Sequence, residues 1–206
     1  MITGVKVAVV EDHESMRNAL ERLLDASSFD VAGFASADEF LRAADCAAFD
    51  CAVVDVHLPR KSGLQLQTEM RHSAPFTSLI FITGHADLAL GVRAMREGAI
   101  DFLEKPVNDQ ALIEAIRRGA LRSREQRLAF DEETRLKQRC DSLTPREREV
   151  FALITKGLLN KQAGAELGTT ERTIKAHRAR VMEKMGAESL ADLVRMAEAL
   201  GIHRQD

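Results

Sequence analysis

The stretch Cys51-Ala52-Val53-Val54-Asp55-Val56-His57-Leu58-Pro59 decides how the rest of the chain is read. Its opening residues, Cys51 to Val54, are apolar without alternation. That pattern predicts a strand buried on both faces, as in a parallel sheet covered by helices. The run ends abruptly in a carboxylate, and Pro59 closes the segment. In open α/β sheets, chemistry collects just outside the carboxyl ends of the strands. Asp55 is therefore a candidate site residue, and the other strand ends are the places to look for its partners.

Outward from this strand the chain alternates between two periodicities. Val5–Val10 predicts a strand ending in Glu11-Asp12, and Val31–Phe34 a second. Leu79–Ile82 predicts a strand ending in Thr83-Gly84, and Ile100–Leu103 one ending in Glu104-Lys105-Pro106. Between them, apolar residues recur at helical spacing: Met16, Leu20, Leu23 and Leu24; Phe40 and Leu41; Leu64, Leu66 and Met70; Leu88, Val92 and Met95; Leu112, Ile113 and Ile116. Ser36 and Ser62 stand where N-caps belong, Asp109 opens the last helix, and Gly98 is a C-terminal stop. Five βα units predict a parallel sheet with helices on both faces.

The strand ends then supply a chemistry. Glu11, Asp12 and Asp55 would repel one another in one crevice unless a hard cation sat among them. Mg²⁺ fits, since it takes oxygen ligands, keeps waters and shares its shell with phosphate. The Thr83 hydroxyl and the Lys105 ammonium are suited to the remaining oxygens of a transferring phosphoryl group. Carboxylates accept phosphoryl groups as nucleophiles. The expected roles are Asp55 as phosphoacceptor, Glu11 and Asp12 as metal site, and Thr83 and Lys105 as phosphate contacts.

Composition narrows the setting. A 45% apolar content is enough for real cores, and no apolar run reaches membrane-spanning length. Three cysteines, Cys46, Cys51 and Cys140, are odd in number and lack metal-ligand spacing. They read as reduced thiols in a cytoplasm. Residues 1–141 carry 18 Lys/Arg against 23 Asp/Glu, whereas residues 142–206 carry 11 against 9. The second part is thus the one suited to face a polyanion.

Residues 119–141 are dense in charge, with a sparse stripe of Leu121, Leu128 and Leu136 that predicts a solvated helical connector. Beyond it, Thr144 as N-cap, Pro145 at the first helical position and acids in the first turn start a helix. Its apolar face is Val150, Phe151, Leu153 and Ile154, and Gly157 ends it. Asn160 is expected to cap a short helix over 161–167. Gly168-Thr169-Thr170 makes a tight turn into a helix over 171–185, and Ser189 starts a fourth with Leu190, Leu193, Met196 and Leu200 inward. Two helices across a three-residue turn with Gly predict helix-turn-helix. In the third helix Ile174, Val181 and Met185 share the core side. Arg172, Lys175, Ala176, Ala179 and Arg180 lie opposite, where small alanines between basic side chains suit a DNA major groove.

Glu11-Asp12, Asp55, Thr83 and Lys105-Pro106 resemble the signature of a response-regulator receiver domain over residues 1–118. Leu143-Thr144-Pro145-Arg146-Glu147-Arg148-Glu149, Gly157, Asn160-Lys161 and Thr173-Ile174-Lys175-Ala176-His177 resemble the LuxR-type helix-turn-helix within residues 142–206. Together the chain resembles the NarL/FixJ class of two-component regulators, on its FixJ-like branch. The resemblance implies a flavodoxin-like sheet of strand order 2-1-3-4-5 followed by an all-α four-helix domain. It implies Mg²⁺, a sensor histidine kinase as phosphodonor, and no separate substrate turnover. The His57 backbone carbonyl would complete the metal shell, Lys105-Pro106 would be cis, and Phe102 would move with Thr83 as a switch. Thr170, Thr173 and His177 join the DNA-contacting set. Promoter DNA, RNA polymerase and a second copy of the phosphorylated chain are the implied partners, with activation of transcription as the outcome.

Five positions depart from or qualify the pattern. His57 and His85 occupy places that tune phosphate lifetime in receivers. Lys61 stands where many carry Met. Ala163-Gly164 replaces the family's usual Ile-Ala, and an interior helical Gly costs about 1 kcal/mol relative to Ala. That predicts a marginal DNA-binding domain which Gly164→Ala would stabilise. An aspartyl-phosphate phosphatase of the haloacid-dehalogenase type also uses Asp, Thr and Lys at strand ends. It needs a second Asp two residues after the nucleophile, where this chain has His57.

Overall fold

A computed structural model of the chain describes residues 4–43, 45–84 and 88–202. The described residues form two compact units, divided between Arg127 and Leu128. His85 lies outside the described residues.

The first unit is a five-stranded parallel sheet: β1 (Lys6–Val10), β2 (Asp30–Phe34), β3 (Cys51–Asp55), β4 (Ser78–Thr83) and β5 (Asp101–Glu104), in the order β2-β1-β3-β4-β5. Every connection between successive strands contains a helix, with α1 (Glu14–Ala26), α3 (Gly63–Ser73) and α4 (Leu88–Arg96) in three of them. Between β2 and β3 the chain forms α2 (Ala37–Arg42) and a single 3₁₀ turn at Cys46–Ala48. The long α5 (Asp109–Asp141) follows β5. Every residue of β3 and β4 is buried, because each strand serves two cores. Val10, Ala52, Val54 and Phe81 pack on Phe40, Leu66 and Met70. Val7, Val9, Cys51, Val53, Ile80 and Ile82 pack on Leu20, Leu24, Leu112 and Ile116. The unbroken apolar runs are thus period-2 patterns with both faces apolar.

Local signals hold where they were expected. Ser36 Oγ accepts from the Glu39 amide, and Ser62 forms a capping box with Gln65. Asp109 opens α5 as expected, and Asn108 caps it: its Oδ1 accepts from the Ala111 amide at 2.9 Å. Lys61 is no mere loop variant, since its Nζ pairs with Asp38 (3.0 Å) and Glu69 (2.7 Å) and ties the β3–α3 loop to α2 and α3. Lys105–Pro106 is cis. Helix α5 meets the sheet closely at Gly119, where a Cβ would lie 3.1 Å from Ser78 Cβ and 3.2 Å from Cys51 Sγ. The Ser78 hydroxyl donates to the Gly119 carbonyl there (2.8 Å). Side chains of α5 are still bonded within the first unit at Arg124, to Asp50, and at Arg127, to the Phe49 carbonyl.

The second unit contains α6 (Pro145–Thr155), α7 (Asn160–Glu166), α8 (Glu171–Met185) and α9 (Leu190–Ala199) around one core. That core includes Val150, Phe151, Ile154, Ile174, Val181, Met185 and Leu193. Two expectations change. Leu159, not Asn160, is the N-cap of α7: Gln162 Oε1 accepts from the Leu159 amide (2.8 Å), and Asn160 is already helical. Asn160 Oδ1 instead accepts from Arg178 Nη1 at 3.4 Å. Leu190 is not inward but 38% exposed; Ala197, one turn beyond Leu193, takes the buried place. The reason is helical geometry, since Leu190 sits at the first position of α9, before the helix has turned its face onto the core.

Gly164 overturns a further expectation. A Cβ at this position would lie 2.9 Å from the Thr169 carbonyl oxygen, a backbone atom of the turn. The Thr169 amide donates back to the Gly164 carbonyl at 2.8 Å. The glycine is the contact that lets α7 and the turn close on each other, so it is no defect.

Candidate functional site

Register brings the carboxyl ends of the strands together. Val10 pairs with Val54, Asp55 with Ile82, and Thr83 with Glu104, so Glu11, Asp55, Thr83 and Lys105 emerge at one edge of the sheet. Glu11, Asp55 and Thr83 are buried, and Asp12 is partly exposed beside them. Lys105 Nζ lies 2.7 Å from Glu11 Oε2 and 2.7 Å from Asp55 Oδ2. The other Asp55 oxygen, Oδ1, accepts from the His57 amide at 2.9 Å. The loop beyond His57 folds back so that the Gly63 amide donates to the Val56 carbonyl (3.0 Å). A Cβ on Gly63 would lie 2.5 Å from the Asp55 carbonyl oxygen, so only glycine allows this return. The Lys105 amide donates to the Thr83 carbonyl (2.7 Å), linking two strand ends.

Burial is the largest influence on the Lys105 ammonium and acts to lower its pKa. The hydrogen bonds and charges of Asp55 and Glu11 outweigh it and hold the pKa above the ordinary value. Lys105 therefore stays charged and supplies one positive charge against three carboxylates. The residual negative charge fits a cation. So does a buried carboxylate oxygen without a donor: Asp12 Oδ1 accepts no hydrogen bond among the described residues. The donor set is hard oxygen, as Mg²⁺ prefers. Phe102 is half-buried, its ring 6.3 Å from that of Phe81 and against Gly91 of α4.

The apolar stripe of α4 is not a core face. Leu88 is 83% exposed, Val92 43% and Met95 46%, so the apolar stripe visible in the sequence looks outward, and Ala94 is the buried residue.

In the second unit the expected nucleic-acid face is assembled on α8. Thr170 is its N-cap, its Oγ1 accepting from the Thr173 amide at 3.2 Å. Arg172, Lys175, Ala176, Ala179 and Arg180 are exposed, and Thr173 and His177 are half-buried. The His177 Nδ1 is buried without a hydrogen-bond partner among the described residues. Reading the basic stripe alone missed the pair that holds α8 in place. Lys184 Nζ reaches Glu147 Oε2 (2.6 Å) and the Ser142 carbonyl (3.1 Å). Glu147 also accepts from the Thr144 amide (2.9 Å), closing the capping box of α6. The signal for it is the Thr-x-x-Glu spacing, but its Lys184 partner lies 37 residues away.

The Lys184 hydrogen bond, then that from the Thr144 backbone, depress the Glu147 carboxyl from 4.5 to about 2. A depressed carboxylate contributes stability that is present above the unfolded-state pKa and is lost as pH falls through the folded one. Glu147→Gln is thus expected to lower the melting temperature at pH 7, with the gap from wild type closing between pH 4.5 and about 2. Circular-dichroism melts of both chains across that range check it. A gap independent of pH counts against the ion pair.

Comparison with known proteins agrees with this geometry. Residues 7–117 match the response regulator receiver domain family, and residues 141–197 match the bacterial regulatory proteins of the luxR family. The chain is similar to nodulation protein W of Bradyrhizobium diazoefficiens, 46% identical over 200 residues that cover 97% of this chain and 88% of that protein. It is 40% identical over 206 residues to the transcriptional regulatory protein FixJ of Azorhizobium caulinodans, covering 100% of this chain and 98% of that one. The solved structure of response regulator StyR resembles it with a TM-score of 0.86 at 39% identity, over 95% of this chain and 99% of that chain. The chain belongs to the two-component response regulators, as a FixJ-like member of the NarL/FixJ class with a receiver domain ahead of a LuxR-type DNA-binding domain.

Proposed function

We propose that a sensor histidine kinase phosphorylates this regulator on Asp55 and that the phosphorylated form binds promoter DNA as a dimer. The observation that carries the reading is Lys105 Nζ held between Asp55 and Glu11. It places a fixed positive charge at the oxygen that would become part of an acyl phosphate. An Asp55 oxygen attacks the phosphorus of a phosphohistidine, and the P–N bond breaks with its electron pair going to the imidazole nitrogen. An aspartyl phosphate is left. The His57 amide holds Oδ1, and so leaves Oδ2, beside Lys105, as the attacking oxygen. Glu11, Asp12, Asp55 and the His57 carbonyl would hold Mg²⁺, which when bound neutralises charge between carboxylate and phosphoryl oxygens. The chain transfers the group onto itself and turns over no separate substrate.

The Thr83 hydroxyl then serves a phosphoryl oxygen, and Phe102, given room by Gly91, follows it inward. The outward apolar stripe of α4 is the surface that a second copy would cover, since exposed Leu88, Val92 and Met95 cost free energy until buried. Within residues 142–206, α8 enters the major groove with Arg172, Lys175, Ala176, Ala179 and Arg180, while Thr170, Thr173 and His177 border it. Residues 119–141 connect it to a receiver over 1–118. Two copies at paired half-sites raise affinity by effective concentration. The regulator acts in the cytoplasm and recruits RNA polymerase as an activator. No described helix is long and apolar enough to cross a membrane.

Sedimentation with Mg²⁺, with and without beryllofluoride, tests this. Wild type is expected to double its mass with beryllofluoride, and Asp55→Asn to stay as it was. No mass change in wild type overturns the phosphate-driven dimer.

A further inference from the structure

The carboxylate pocket carries one more side chain that the phosphoryl chemistry leaves unused. His13 follows Glu11-Asp12 directly and is the N-cap of α1. Its Nδ1 lies 3.2 Å from Asp12 Oδ1 and 3.4 Å from Glu11 Oε1. Its amide also donates to Glu11 Oε1 (3.3 Å), which ties the residue to the pocket. Despite the short separation, Nδ1 makes no hydrogen bond to Asp12 Oδ1, and that oxygen is buried without a hydrogen-bond partner among the described residues. The two atoms sit side by side. Adjacent ligands of an octahedral cation with bonds of 2.0–2.1 Å are about 3 Å apart, so this is the spacing of neighbours in one coordination shell. One ligand atom from each of Glu11, Asp12 and His13 falls within 4.8 Å of the others.

We propose that His13 adds an imidazole nitrogen to this cation site, beside Glu11 and Asp12, and widens its choice from Mg²⁺ towards Mn²⁺ and the borderline divalent ions of the Zn²⁺ type. The proposal rests on reading Glu11 and Asp12 as the receiver's cation site. Mg²⁺ gains little from an imidazole, because it holds oxygen ligands and waters. Imidazole suits Zn²⁺ and the later first-row ions, and Mn²⁺, although it favours oxygen, takes an imidazole nitrogen more readily than Mg²⁺ does. Two hard carboxylates keep the site open to Mg²⁺, and the imidazole shifts preference when both kinds of ion are present. The competing arrangement is an imidazolium paired with the two carboxylates, which puts no nitrogen on a metal.

The test uses the full chain and Mn²⁺ alone, without phosphodonor. Binding is titrated by the electron paramagnetic resonance signal of free Mn²⁺, and electron spin-echo modulation reads ¹⁴N coupling to the bound ion. Wild type is expected to show imidazole coupling. His13→Ala should lose it and bind Mn²⁺ about ten-fold more weakly or worse, with Mg²⁺ competition shifted less than about two-fold. Asp12→Asn is the control. If it abolishes Mn²⁺ binding while wild type and His13→Ala bind alike without ¹⁴N coupling, the role of His13 is overturned and the cation site stands. If Asp12→Asn leaves Mn²⁺ binding unchanged, the cation-site reading fails, and the role of His13 with it.

Discussion

Lys105→Met is expected to destabilise the receiver by about 3 kcal/mol in EDTA, the cost of removing one partner from a buried ion pair. Glu11 is fully buried and Asp55 nearly so, and the ammonium sits 2.7 Å from each. Without it, two carboxylates face one another in a site closed to most water, with Asp12 alongside. Their mutual repulsion would then press the pocket open to water. The sign with pH follows from the raised Lys105 pKa. Its stabilising effect is fully present below the unfolded lysine value of 10.5 and is lost only as pH rises through the higher folded value. At neutral pH the full deficit should therefore be seen. Adding Mg²⁺ should recover part of it, since a cation among the carboxylates replaces the missing charge. Urea denaturation of both chains in EDTA and in Mg²⁺ measures each part. Equal stability in EDTA would mean that Lys105 carries none of the pocket's charge balance. The same variant should fail to switch to the dimer with beryllofluoride, because the fixed charge beside Oδ2 is gone.

The second large effect is expected at Gly164. Gly164→Val should lower the stability of the second unit by about 1–3 kcal/mol, the range for forcing extra atoms into a close-packed contact. Even the first added carbon would stand 2.9 Å from the Thr169 carbonyl. That carbonyl belongs to the turn that delivers Thr170, the cap of α8, so the helix carrying Lys175 and Arg180 would be displaced with it. DNA affinity should fall along with stability. Gly164→Ala is the finer test. Its gain of about 1 kcal/mol in helix propensity is offset by the same contact, and its melting temperature should not rise. A rise of several degrees would restore the view that this glycine is a flaw. Thermal melts and gel-shift titrations on a promoter fragment read both quantities.

Much of the site was legible because its parts are local. A strand announces itself by its apolar run, and the residue at its end is then known by position alone, which is how Glu11, Asp55, Thr83 and Lys105 were found. Caps such as Ser62 and Thr144 are equally local, depending on residues three apart. What was hidden depends on approach between distant segments. Nothing near Gly164 states that a carbonyl will lie 2.9 Å from it, and propensity read in isolation gave the opposite sign. Lys61 shows in the sequence only as a departure from the usual Met, because its partners Asp38 and Glu69 sit on separate helices. The α4 stripe has the periodicity of a core face, and periodicity cannot tell a face covered by the same chain from one left for another. A histidine beside two carboxylates, as at His13, carries no signal of its own in the sequence.

The meeting of Cys51, Ser78 and Gly119 has a consequence for the history of such sequences. Three elements share one small volume there, with a Cβ at 119 only 3.1–3.2 Å from atoms of the other two. None of the three can grow alone. A relative with alanine at the helix position must shrink at one of the strand positions or shift the helix outward, so the three sites are bound to drift as a set. Their substitutions, taken singly, should each be worse than their combination. A triple replacement that keeps total volume constant is the form in which change can be inherited at this point of the molecule.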